Sequence, residues 1–204
     1  MAQLAYKFPR KTNGPGWPAQ GEWTYEDYLR LPEDGNRYEV IRGFLYVTAA
    51  PFPEHQFSVV KLSRFFDEHV SAAGLGMVLV APFDVKLPAG IASPVQPDIA
   101  FFRTGNEPRW GVGCFEGVPD LLVEVLSPRT RRRDQTLKRE AYEEAGVPEY
   151  WLVDPKAWTV VMFVLGKDKR YSEPVRGGAG DAVGSSVLPG FRVNVSDLFM
   201  PTPR

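Results

Sequence analysis

The stretch 120–155, DLLVEVLSPRTRRRDQTLKREAYEEAGVPEYWLVDP, limits the possible folds more than any other part of the chain. It reads as an apolar strand holding one carboxylate, then a basic turn, a helix and a second apolar strand. Glu124 sits in the middle of LLVEVL. A lone charge buried there costs far too much, so it must be paired, hydrogen-bonded or bound to a metal. Side chains alternate along a strand, which puts Leu122, Glu124 and Leu126 on one face and Leu121, Val123 and Val125 on the other. What Glu124 faces is therefore the question that the other segments have to answer.

Those segments supply more strands and two further helices. Thr24 to Asp27 resembles a capping box, with Asp in place of the usual Glu, and opens a short helix that stops at Pro32. Residues 37–41 and 44–48 read as a hairpin through Arg42-Gly43. The longest helix candidate is 54–73, with Val59, Leu62, Phe65, Phe66 and His69 as its apolar stripe and Gly74 at its end. Strands are expected over 76–80, 82–87 and 98–103. The glycine-rich segment 104–119 reads as a loop, followed by the strand of Glu124, a helix over 132–145 and a strand over 149–153. A hairpin from Trp158 through the turn 166–169, and a closing strand over 191–195, complete an α/β domain on one mixed sheet. Residues 1–20 lack periodicity and read as a tail or arm, leaving 21–204 as one domain.

Composition narrows the function. A formal net charge of −1 gives no global field toward nucleic acid or membrane, so an anionic partner must meet a local patch. From Leu126 to Glu140, six Lys/Arg stand against two carboxylates, and Arg129, Arg131, Arg132 and Arg133 are the place for DNA phosphates unless they form only a solvated turn. The single cysteine, Cys114, excludes an internal disulfide. No apolar run approaches the roughly 20 residues that span a bilayer, and the N-terminus shows no signal-peptide core, so the expected location is the cytoplasm.

Asp98 opens the strand before that of Glu124, and strands consecutive in sequence are usually neighbours, so the two carboxylates are expected to converge. Two hard oxygen ligands suit Mg²⁺ or Mn²⁺, and such an ion supports phosphodiester hydrolysis. A lysine beside the pair would complete this chemistry. On the strand it would occupy position 126, which is Leu126. Lys138 is the candidate replacement, spaced i, i+4, i+8 with Asp134 and Tyr142 on the following helix.

Pro97-Asp98, VEVLSP around Glu124, the Asp134/Lys138/Tyr142 helix, GVPEYWLVDP, Tyr38 to Gly43 and His55 together resemble the Uma-type family of restriction endonucleases within the PD-(D/E)XK nuclease superfamily. The resemblance covers roughly residues 22–200 and implies a restriction-endonuclease-like core, a mixed β-sheet flanked by helices. It also implies a metal-dependent endonuclease acting on DNA, with Mg²⁺ or Mn²⁺ held by Asp98, Glu124 and the backbone carbonyl of Val125. Lys138 and Glu39 would complete the catalytic group, His55 and Tyr142 would be accessory, and a homodimer would address two strands. Each residue also has a plainer role open to it. Asp98 can cap a strand, Glu124 can pair with Arg129 or Lys138, Glu39 can be a cross-strand partner and His55 can cap or pack. The alternative function is the same fold without turnover, binding nucleic acid or a protein partner.

Overall fold

The structure, a computed structural model, describes residues 16–88, 90–108 and 113–201. Most of the tail expected over 1–20 lies outside the described residues. Within it, Trp17 stacks on Trp23 with ring centroids 5.4 Å apart, so the arm is packed by that point.

A six-stranded mixed sheet forms the core, in the order β10-β9-β8-β7-β5-β3. Its strands are β3 (Gly76–Val80), β5 (Ile99–Arg103), β7 (Leu121–Val125), β8 (Glu149–Asp154), β9 (Thr159–Val164) and β10 (Val175–Gly177). Only β7 and β8 run parallel, because the helical segment between them carries the chain back across the sheet. Both strands are buried along their whole length, as expected where helices or loops cover both faces.

On one face, α2 (Pro53–Ala73) lays Val59, Leu62, Phe66 and Val70 against Leu121, Val123, Val125 and Trp151. It ends at Gly74, whose φ of +61° closes the last turn in the left-handed conformation. On the other face, Leu122, Leu126, Tyr150 and Leu152 meet Ala141 and Tyr142. The alternation expected along β7 therefore holds, and Glu124 points to this second face. A third cluster joins α1 (Tyr25–Tyr28) to the hairpin of β1 (Arg37–Ile41) and β2 (Phe44–Thr48) through Trp23, Tyr38, Val40 and Leu45. The capping box of α1 forms, with Thr24 and Asp27 exchanging side-chain-to-backbone bonds. At the hairpin turn, Gly43 has a φ of +75° and a Cβ there would strike the Gly21 carbonyl, so only glycine fits.

Several expected elements differ. The strand over 82–87 shrinks to β4 (Asp84–Lys86), which leaves the main sheet and pairs in parallel with β6 (Cys114–Glu116). That partner lies inside the segment read as a loop, of which 109–112 fall outside the described residues. Three-residue strands carry too little alternation to be legible. The chain after Tyr171 does not extend the hairpin directly, since Tyr171 makes one isolated bridge to Leu165 before β10 begins. The closing strand is β12 (Arg192–Asn194), paired with β11 (Ala182–Gly184) in a sheet of its own.

The helix over 132–145 is also not uniform. It starts as α3 (Arg131–Arg133), passes through a π-helical turn (Asp134–Lys138) and continues as α4 (Arg139–Ala145). At 3.6 residues per turn, side chains four apart drift by about 40° around a helix. The wider π turn opposes that drift, so Asp134, Lys138 and Tyr142 all point inward and are buried.

Candidate active site

Every acidic side chain expected at the site reaches one small cavity of about 30 Å³, room for a single water or ion. The β5–β7 register pairs Ile99 with Val123, which carries Asp98 opposite Glu124. Contact is direct, because the backbone N–H of Val125 donates to Asp98 Oδ2 at 2.8 Å. Asp98 Oδ2 also lies 3.0 Å from His55 Nε2, and Arg37 donates to Asp98 Oδ1 at 2.9 Å. Burial alone would raise the Asp98 carboxyl, but His55 and Arg37 outweigh it and hold it below the usual range.

Lys138 Nζ lies 2.8 Å from Glu124 Oε1 and 2.7 Å from Glu39 Oε1. The lysine missing from position 126 is thus delivered to the same carboxylate from the following helix, while Leu126 stays in the core. Burial opposes the ammonium, but Glu124, Glu39 and Asp134 around it raise Lys138 above the ordinary lysine range. Tyr142 Oη donates to the same Glu124 oxygen at 2.8 Å.

Glu39 accepts from the backbone N–H of Gln96 at 2.9 Å and pairs with Arg133 at 3.2 Å. Burial is outweighed there by Lys138, Arg133 and Arg37, which lower Glu39 to about 2. Glu124 goes the other way. Burial, with Asp134, Asp98 and Glu39 nearby, outweighs Lys138 and pushes its carboxyl up to about 8. Asp134 is pushed up to about 6, mainly by burial.

The four arginines expected as one basic patch are divided by the fold. Arg133 turns inward to Glu39 and also donates to Thr48 Oγ1 at 2.8 Å. Arg131 forms a two-pronged pair with Asp154, at 2.7 and 2.8 Å. Arg129 lies at the cavity mouth over the ring of Phe52, 5.4 Å from its centroid, and Arg132 is exposed. Arg37 and Asp134 were not among the expected site residues. Arg37 shares a face of β1 with Glu39, two charges on one side of a half-apolar strand, and that spacing was the available signal.

The Uma2 family, described as putative restriction endonuclease, matches residues 25–196. The chain belongs to the Uma2 family. In fold, this Uma2-family protein is similar to the crystal structure of a putative nuclease belonging to DUF820 from Anabaena variabilis, with a TM-score of 0.74. That likeness covers 87% of this chain and 97% of the other at 21% identity, and it shows that the two share a fold. No curated protein matches the chain. Among the described residues no helix is long and apolar enough to cross a membrane.

Families of restriction-endonuclease type generally use divalent ions. Among the described residues, no group of three or more His, Cys, Asp or Glu side chains is placed to hold a metal ion. Open acceptor positions nonetheless face the cavity. Lys138 and Tyr142 both donate to Glu124 Oε1 rather than Oε2, and Arg37 donates to Asp98 Oδ1, although each carboxylate oxygen takes two bonds. Four carboxylates (Glu39, Asp98, Glu124, Asp134) and four Lys/Arg side chains (Arg37, Arg129, Arg133, Lys138) line the same space, with His55 beside them.

Proposed function

We propose that this Uma2-family protein is an endonuclease that hydrolyses DNA phosphodiester bonds with Mg²⁺ or Mn²⁺. The observation that carries the reading is the convergence of Asp98, Glu124 and Lys138 on one small cavity. Asp98 and Glu124 would hold the ion, together with the Val125 carbonyl that the family resemblance implies. A divalent ion bound there supplies Lewis-acid polarisation of the phosphate and an acidified water. Lys138 stays protonated, so it is not the base; its ammonium offsets charge that develops on the phosphate. Glu39 and Glu124 fix the direction of that ammonium, Tyr142 orients Glu124, and His55 with Arg37 orients Asp98. We assign the protein to the cytoplasm as a homodimer, two sites being the simplest way to cut both strands.

Supercoiled plasmid with Mg²⁺ or Mn²⁺ tests the proposal. Wild type is expected to nick or linearise it, and Asp98→Ala to lose this at least about a hundredfold. Equal cleavage by both proteins would trace the activity to a contaminant. One observation favours the second reading, binding without turnover: Arg37, His55 and the Val125 N–H already engage both Asp98 oxygens. No cleavage by wild type with either ion, alongside metal-independent DNA binding, would select it.

DNA is expected to approach at the mouth, over Phe52 and Arg129. Arg129→Ala should weaken binding about equally across sequences and lower the slope of log K against log salt by about one. Fluorescence anisotropy over a KCl series reads this, and an unchanged slope would remove Arg129 from the phosphate contacts.

A further inference from the structure

Gln96 is buried beside the site but does not line its cavity. Its backbone nevertheless holds two of the groups that do. The Gln96 N–H donates to Glu39 Oε1 at 2.9 Å, the same atom that meets Lys138 Nζ at 2.7 Å. The Gln96 carbonyl accepts from Arg37, which through its other terminal nitrogen donates to Asp98 Oδ1 at 2.9 Å. The side chain runs the opposite way. Its Nε2 donates to Asp84 Oδ1 at 2.8 Å and to Tyr28 Oη at 3.1 Å, and the Tyr28 hydroxyl donates to that same Asp84 oxygen at 2.9 Å. Asp84 belongs to β4 and Tyr28 to α1, and neither lines the cavity. Gln96 Oε1 has no partner among the described residues, so Nε2 supplies the polar anchorage of the side chain. The next residue is Pro97, whose ring confines the Gln96 backbone to extended conformations. Little play is left between the anchored amide and the two backbone bonds that face the site.

We propose that Gln96 is a positioning residue for the reaction: its side chain, anchored by Asp84 and Tyr28, holds the backbone that aims Glu39 at Lys138 and Arg37 at Asp98. This rests on the nuclease reading of the preceding section. Because the Gln96 N–H and the Lys138 ammonium share one oxygen of Glu39, a tilt of that N–H re-aims the carboxylate and the ammonium together. Reacting groups tolerate little of this, since a misplacement of about 1 Å can cost about a hundredfold in rate. The cluster of Tyr28, Asp84 and Gln96 thus ties α1 and β4 to both acidic arms of the site.

Two measurements on the full-length protein test this, with wild type, Gln96→Met, Asp84→Ala and Asp84→Asn compared. Asparagine keeps a side-chain oxygen for Gln96 Nε2 and Tyr28, whereas alanine and the Gln96→Met change remove the anchor. In plasmid cleavage with Mg²⁺, Asp84→Ala and Gln96→Met are expected to lower kcat about tenfold with KM unchanged, and Asp84→Asn to stay near wild type. In ¹H–¹⁵N NMR spectra, which also check that each variant is folded, the Gln96 backbone amide proton reports its bond to Glu39. It should move upfield in Asp84→Ala and hold its place in Asp84→Asn. A role confined to packing α1 and β4 would lower Tm in Asp84→Ala and leave both kcat and this resonance unmoved. An unmoved resonance in Asp84→Ala would overturn the inference, and so would a moved resonance with unchanged kcat. Absence of cleavage by wild type with Mg²⁺ or Mn²⁺ would overturn the nuclease reading and the role in the reaction with it. The resonance would then still decide whether Asp84 holds Gln96 against Glu39.

Discussion

Lys138→Met should abolish cleavage and lower Tm by roughly 6–20 °C, from about 3–5 kcal/mol for breaking a buried ion pair in a chain of this size. Methionine fills most of the lysine volume, so packing changes little. What changes is that Glu39 and Glu124, both almost fully buried, lose the ammonium 2.7 and 2.8 Å away. Adding Glu39→Gln to Lys138→Met should recover much of the lost Tm, because one of the stranded charges is gone, while cleavage stays absent. Such non-additivity is the signature of two residues in one network. Calorimetry of the four proteins measures it. A Tm within about 2 °C of wild type for Lys138→Met would mean that the buried pair contributes nothing.

Glu124→Gln should also abolish cleavage, yet it should stabilise the protein at alkaline pH. The Glu124 carboxyl is raised in the folded state to about 8 from an ordinary value of 4.5. The fold therefore prefers its protonated form. That stabilisation is fully present below about pH 4.5 and is lost as pH rises through about 8. Glutamine keeps an acceptor for Lys138 and Tyr142 and has no proton to lose. The Tm advantage of Glu124→Gln should be small at pH 5 and reach several degrees by pH 9, a few kcal/mol by linkage. Glu39 works with the opposite sign. Lowered to about 2, it contributes stability present above about 4.5 and lost as pH falls through about 2. Scans from pH 5 to 9 check the expectation, and a difference independent of pH would refute the raised Glu124. A carboxylate kept at some cost to stability is what a functional site requires.

Much of the fold was legible because its signals are local. The β1–β2 hairpin, α2 with its Gly74 cap, and the alternation that turned Glu124 to one face and Val123 to the other all follow from spacing within a few residues. The β4–β6 pair was not, since two strands of three residues meet in parallel across thirty positions and neither has a readable period. The π turn was hidden as well, because Asp134 to Lys138 carries no residue that distinguishes a wide turn from an α-helical one. At the site, Asp98, Glu124, Lys138 and Glu39 were named from the chain and lie together. Arg37 escaped because its partner Asp98 is 61 residues away.

Residue order alone settled which side chains each element could offer: a carboxylate in an apolar strand, another at a strand start, a lysine on the next helix, and no lysine at 126. It could not settle how those offers combine. Ion pairing depends on separations of a few ångströms, and these are set by strand register and helix winding rather than by distance along the chain. Folding therefore divided four neighbouring arginines between Glu39, Asp154, Phe52 and solvent. It also left Asp134 Oδ1 facing the cavity unpaired. Burial then set the charges, raising Glu124 and Asp134 beyond what the nearby cations offset, while Glu39 and Asp98, each held by more than one basic side chain, fall.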